Sequence, residues 1–235
     1  MLLLGIDTSS QAASAALVQD GAIISEYMLN QKKTHSAHLL PMIEQMLSAA
    51  GFTFPDIDCF ACGVGPGSFT GVRIGVTTVK GFAQALDKPV VTADSLETLA
   101  YGIAQFDGLI VSALFARVDE VFCAAYNSAN DGLETVIQPS VMTISELLEK
   151  LPHTKCLFVG DGAVLHKELI ENTLGENAVF AGERQNIISA ANMTLLCAKR
   201  AACGTTKKYD EISPLYLRVS QAEREYQEKE KGEKQ

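Results

Sequence analysis

Five glycines fall between residues 63 and 75, in the run Gly63-Val64-Gly65-Pro66-Gly67-Ser68-Phe69-Thr70-Gly71-Val72-Arg73-Ile74-Gly75. They join an apolar strand-like run, residues 59–64, to a helix-like run. A strand-to-helix junction without side chains lets backbone approach something closely, and the opening turn of the helix gathers unpaired N–H donors at the positive end of its dipole. The segment is therefore expected to touch an anion or a partner. Its spacing fits neither known phosphate loop: there is no Gly-x-x-x-x-Gly-Lys-Ser/Thr, and Gly65-x-Gly67-x-x-x-Gly71 is one residue too long for Gly-x-Gly-x-x-Gly.

A chain of 235 residues with 47% apolar content can build one large domain or two small ones without staples. The opening apolar run is only four residues, Met1 to Leu4, too short for a signal segment, and no later stretch approaches a membrane span. A cytoplasmic protein with reduced thiols is expected. Among the six cysteines only Cys59 and Cys62 have metal or redox spacing, and in a strand residues three apart face opposite ways. The net charge of −9 and the lack of any lysine or arginine cluster disfavour direct binding of nucleic acid. Residues 221–235 mix charges of both signs with almost no apolar side chain, which reads as a solvated tail.

Residues 2–7, 13–18 and 22–29 read as three strands, the last two joined at Asp20-Gly21, a hairpin turn signal. Leu39, Leu40, Ile43, Met46, Leu47 and Ala50 then recur at helical steps until Gly51, with Pro41 near the helix start. The strand before the glycines, a helix over 71–86 and a strand at 90–92 make a right-handed parallel crossover, followed by a capped helix over 95–104. The pattern then repeats. Strands are expected at 109–114, 120–126 and 135–141, with a turn at Asn130-Asp131-Gly132 between the last two. A capping box, Thr143 with Glu146, opens a helix to 150; a strand at 156–159 and helices over 163–172 and 186–203 follow. Two lobes of like order indicate a duplicated α/β fold, residues 1–103 and 104–218, with the last helix or C-terminal segment packing back on the first lobe and 219–235 as the tail.

A duplicated lobe whose first strand ends in an acid and hydroxyls, Asp7-Thr8-Ser9-Ser10, is similar to the RNase H-like lobes of the actin, sugar-kinase and Hsp70 ATPase superfamily. With the glycine segment added, the chain closely resembles the TsaB (YeaZ) family. His35-Ser36 with Leu39-Leu40-Pro41, Ala116-Arg117 with Glu120-Val121, and Pro214 with Tyr216-Leu217-Arg218 agree with that resemblance. It implies a non-catalytic, glycoprotease-like subunit that pairs with the catalytic subunit TsaD. Together they make threonylcarbamoyladenosine beside the anticodon of tRNA. A TsaE-type ATPase joins them. No cofactor is expected, tRNA is expected to be met only indirectly, and a homodimer is expected when the chain is alone.

Against that expectation stand two others. An ATP-dependent kinase of the superfamily would use Asp7, Thr8, Ser9, Gly65 and Gly67 toward a nucleotide; the residue after Thr8 is not the usual glycine, so these are expected to be vestigial. Gly160-Asp161-Gly162 sits where a second phosphate loop would lie and is read as a turn with a cap. A metal-dependent peptidase would rest on His35 and His38, three apart and without a third ligand placed by motif, so no metal is expected. Gly71 and Gly75, four apart, leave one helix face bare. Together with Ser68, Thr70, Arg73, Thr78 and Val79, and with His35, Leu39, Ile43 and Met46 on the preceding helix, they are expected to form a docking surface for another chain.

Overall fold

The computed structural model describes residues 1–31, 35–129 and 132–218, with His35 as backbone alone. Strands β1 (Leu2–Asp7), β2 (Ala12–Gln19) and β3 (Ala22–Asn30) open the chain, followed by α1 (His35–Ala50), β4 (Cys59–Gly63), α2 (Phe69–Leu86) and β5 (Val90–Ala93). They form a five-stranded sheet in the order β3-β2-β1-β4-β5, in which β2 runs antiparallel to both of its neighbours and β1, β4 and β5 run parallel. The β2–β3 hairpin turns on Asp20 and Gly21, both with positive φ (50° and 80°), the geometry whose twist matches the flanking strands.

Helix α3 (Ser95–Tyr101) leads to β6 (Leu109–Arg117), β7 (Glu120–Ala129), β8 (Gly132–Thr143), α4 (Ile144–Lys150), β9 (Cys156–Val159), α5 (Asp161–Leu165), α6 (Lys167–Leu174), β10 (Ala178–Phe180) and α7 (Ala190–Ala202). The second sheet has the order β10-β9-β6-β7-β8, which repeats the first element for element. The expected turn at Asn130-Asp131 and the tail from residue 219 lie outside the described residues.

Alternation along β1 and β4 divides the first sheet between two cores. Leu4, Ile6, Phe60 and Cys62 face α1 and α2, packing with Ile43, Met46, Val76 and Val79. Leu3, Cys59 and Ala61 face the other way, onto Met193, Leu196 and Cys197 of α7. A one-residue slip of β1 would exchange these sets, so the hydrophobic pattern pins the register. Cys59 and Cys62 thus belong to opposite faces, and all six cysteines are free thiols.

Helix α7 reaches the first sheet from the far end of the sequence, and its start is fixed there. Ser189 caps Asn192 N–H, while Glu26 of β3 accepts from the Ser189 hydroxyl (2.6 Å) and from Ala191 N–H (3.0 Å). This cap places the helix start four residues beyond the sequence expectation. The second sheet is covered by α4 and α6 on one face, and on the other by α3, whose Leu96, Leu99 and Ala100 meet Ile110, Ala124 and Tyr126. Two further differences are local. The helix expected over 163–172 breaks at His166 into α5 and α6, and β10, three residues long, carries no sequence period of its own.

Candidate functional site

The carboxyl end of β1 meets the glycine segment. Asp7, Thr8 and Ser9 are all buried. The Asp7 carboxylate accepts from Ser9 N–H (3.0 Å) and from the Ser9 hydroxyl (2.9 Å), and that hydroxyl also bonds the Ser95 hydroxyl at the start of α3 (2.9 Å). Thr8 Oγ1 donates to the Gly71 carbonyl (2.7 Å). Ser68 N–H donates to the Ser9 carbonyl (2.7 Å), and Ser95 N–H to the Gly65 carbonyl (2.8 Å). The expected nucleotide-facing residues therefore do come together, bonded to one another and to neighbouring groups of the same chain.

The glycines show why. A Cβ on Gly67 would stand 2.1 Å from the Ser9 carbonyl oxygen, and one on Gly63 would stand 1.9 Å from Asp7 Oδ2. The loop lies directly on the end of β1. Gly65, with φ 89° and followed by a cis bond to Pro66, turns the chain back toward the helix. Ser68 then caps α2 by accepting from Gly71 N–H, so the helix starts at Phe69, two residues earlier than expected.

The same geometry shows what meets the expected docking stripe within this chain. A Cβ at Gly71 would lie 2.1 Å from the Thr8 carbonyl oxygen, and at Gly75 2.7 Å from Thr8 Oγ1. The bare face of α2 is thus filled from within, by the end of β1. Leu39, Ile43, Met46 and Val79 are likewise core residues, because the apolar stripe of α1 and α2 is the face turned to the sheet. Thr78 is half-buried and spends its hydroxyl on the Ile74 carbonyl of its own helix. Ser68, Thr70 and Arg73 remain exposed. Leu40, at 44% exposure, faces out from α1. His38 is half-buried, and among the described residues no group of three or more metal-ligating side chains converges.

At the outer end of α2 an aromatic cluster appears that sequence reading did not single out as a site. Phe69 and Tyr216 stack with ring centroids 4.8 Å apart, and the Arg73 guanidinium lies 3.9 Å from the Phe69 ring centroid. Arg73 Nε donates to the Tyr216 hydroxyl at 2.8 Å. Phe69 and Arg73, one helical turn apart, are a legible pair. Tyr216, 143 residues further on, is brought in by a C-terminal segment whose Leu215 N–H donates to the Val64 carbonyl and whose Ile212 is buried in the first core.

Helix α3 joins these parts to the second lobe. Asp94 caps it by accepting from Glu97 N–H (2.8 Å), and burial pushes the Asp94 carboxyl up to about 6. Glu97 receives Arg200 Nη2 from α7 at 2.5 and 2.6 Å, while Arg200 Nη1 donates to the Thr92 carbonyl. Asp94, Glu97, Arg200, Lys207 and Ser213 line a cleft of about 330 Å³. Ser112 of β6 donates to the Leu96 carbonyl (2.7 Å). In the second lobe, Asp161 does not cap its own helix; it accepts from Phe115 N–H at the end of β6, and Gly160 holds the cap position.

Residues 22–226 match the family described as TsaD: tRNA N6-adenosine threonylcarbamoyltransferase. The tRNA threonylcarbamoyladenosine biosynthesis protein TsaB of Bacillus subtilis (strain 168) is 34% identical, over 98% of this chain and 100% of its own length. That of Escherichia coli (strain K12) is 30% identical, over 93% of this chain and 95% of its own. Among solved structures, YeaZ from Pseudomonas aeruginosa superimposes with a TM-score of 0.81 at 27% identity, covering 92% of this chain and 99% of that one. Component A of the (R)-2-hydroxyglutaryl-CoA dehydratase of Acidaminococcus fermentans shares the two-lobed fold alone, with a TM-score of 0.51 at 12% identity.

Proposed function

The chain belongs to the TsaB family, and we propose that it acts in threonylcarbamoyladenosine synthesis on tRNA as a non-catalytic subunit that pairs with a TsaD-type transferase. The observation that carries this reading is the closed end of β1. A phosphate-binding loop needs backbone donors aimed at open space. Here the N–H groups of Ser9, Ser68 and Ser95 are directed to Asp7, Ser9 and Gly65 of the same chain, and Asp7, Ser9 and Ser95 are buried. The net charge of −9 supports contact with tRNA through the other subunit. No helix among the described residues is long and apolar enough to cross a membrane, in keeping with a cytoplasmic tRNA-modifying complex.

The docking surface of this reading is the outer side of α1 and α2, with Leu40, Ser68, Thr70 and Arg73 joined by Tyr216. A TsaE-type ATPase completes the assembly, and in the absence of TsaD the same surface closes a homodimer. The test is reconstitution of tRNA modification from purified subunits with and without this chain. Modification should collapse without it and return on its addition, while the isolated chain should neither bind ATP saturably nor modify tRNA. Full modification in its absence, or ATP turnover by the chain alone, would overturn the reading.

A further inference from the structure

Arg73 is exposed, yet it is held in one pose. Its guanidinium lies 3.9 Å from the Phe69 ring centroid and 5.8 Å from that of Tyr216, and its Nε donates to the Tyr216 hydroxyl at 2.8 Å. Tyr216 is itself fixed: its ring stacks on Phe69, and its neighbour Leu215 is tied through the backbone to Val64 at the end of β4. A guanidinium offers five N–H donors in a rigid planar fork. One is used here, and among the described residues neither terminal nitrogen has a hydrogen-bond or ion-pair partner. In a chain with 28 acidic against 19 basic residues, Arg117 and Arg200 each find a glutamate, whereas Arg73 meets an aromatic pair.

Holding an arginine in one rotamer costs side-chain entropy. A fork already immobilised on an aromatic face avoids that cost when a ligand arrives. Its two terminal amino groups match the two oxygens of a carboxylate, giving a paired, charge-assisted contact that a lysine cannot reproduce. Thr70, exposed and three residues before Arg73, stands on the same side of the helix and adds a hydroxyl beside the fork.

We propose that Phe69, Arg73 and Tyr216 form a preset receptor for one aspartate or glutamate side chain of the partner subunit, so that pairing depends on the orientation of the guanidinium as well as its charge. This rests on the docking reading above. The occupant is a protein carboxylate because a single planar anion satisfies the fork, whereas a polyanion would meet the field of a strongly acidic chain.

The experiment is calorimetric titration of the full chain with its TsaD-type partner, using the parent and three variants, each checked by its melting temperature. Arg73→Lys keeps the charge and loses the fork; Arg73→Gln loses both; Tyr216→Phe keeps the aromatic stack and removes the hydroxyl that orients Arg73. The expected result is a 10- to 100-fold weaker Kd for Arg73→Lys, close to that of Arg73→Gln, and a several-fold loss for Tyr216→Phe, with melting temperatures little changed. Parent-like affinity of Arg73→Lys and Tyr216→Phe would overturn the receptor and leave the docking reading standing. Failure of the parent itself to pair would overturn both.

Discussion

Replacing Gly71 by alanine separates a helix packed on its own β1 from a helix held bare for another chain. Alanine favours a helix interior over glycine by about 1 kcal/mol, so a vacant face predicts a more stable isolated protein. The structure predicts the reverse. The new methyl would stand 2.1 Å from the Thr8 carbonyl oxygen, more than an ångström inside the roughly 3.3 Å at which carbon and oxygen normally meet. Relief requires α2 to move from β1. Overpacking of this kind costs about 1–3 kcal/mol. The shift also stretches the 2.7 Å bond from Thr8 Oγ1 to the Gly71 carbonyl, in a buried site where an unmet partner costs about 1–3 kcal/mol. Set against the helix gain, the net loss centres on about 3 kcal/mol, or roughly 6–12 °C in Tm for a domain of this size. Gly81 is the internal control. It lies in the same helix and is exposed, and a methyl added there would meet nothing within 4 Å, so Gly81→Ala should gain about 0.5–1 kcal/mol. Thermal and urea melts of the isolated chain read both variants. A Gly71→Ala protein as stable as the Gly81→Ala protein would refute the packing argument.

The hub around α3 yields a pH test. Asp94 is raised to about 6, first by burial and then by the adjacent Glu97, against the opposing Glu97 N–H and Arg200, so the folded state binds this proton more tightly than the unfolded chain. Stability from this group is therefore present at low pH and lost as pH rises from about 4 to 6. Asp94→Asn keeps a good cap, and its Tm relative to the parent should climb across that interval and level off above it; a difference independent of pH would exclude the assignment. Glu97→Gln should cost about 1–3 kcal/mol by breaking the paired contact to Arg200, read as a lower urea midpoint, and an unchanged midpoint would remove the ion pair as an inter-element clamp. For the thiols, burial lifts Cys59 to about 11 and Cys197 to about 12, and raises Cys62 further, while Cys203 alone is exposed. An aromatic disulfide reagent should label one thiol in the native protein and all six in denaturant; rapid native labelling of Cys59 or Cys62 would contradict the burial of β4.

What the sequence discloses and what it hides divide along the distance between partners in the chain. The Asp20-Gly21 hairpin, the Thr143–Glu146 capping box and the parallel crossover through α2 depend on neighbours a few residues apart, and all are legible. The glycine segment is legible as a place of close approach, but what it approaches lies some sixty residues upstream, at Thr8 and Ser9, and no local pattern points there. Period alone marks one face of α1 as apolar. It cannot say that the sheet of the same chain covers Leu39, Ile43 and Met46, three of the residues placed on the expected docking surface. Phe69 and Arg73 fall one turn apart and are visible as a pair; Tyr216, which orients the arginine, arrives by a segment anchored at Val64.

That anchoring links the closed loop to the outer surface. Gly67 and Gly71 seat on Ser9 and Thr8, which sets the position of the first turn of α2 and hence of Phe69 and Arg73. Leu215, bonded to Val64 one residue before Gly65, places Tyr216 against that same turn, and Arg218 beyond it donates to the Ala116 carbonyl of the second lobe. Backbone that in an open nucleotide site would be left for phosphate is thus committed to positioning surface side chains, through short bonds and contacts with little freedom to adjust. Precision at the rim of an interface comes from rigid support beneath it. On this argument a disturbance at Thr8, fully buried and remote from solvent, would weaken pairing by displacing the Arg73 fork, whereas a change at an equally buried residue of the second core, such as Phe158, would lower stability without that specific loss.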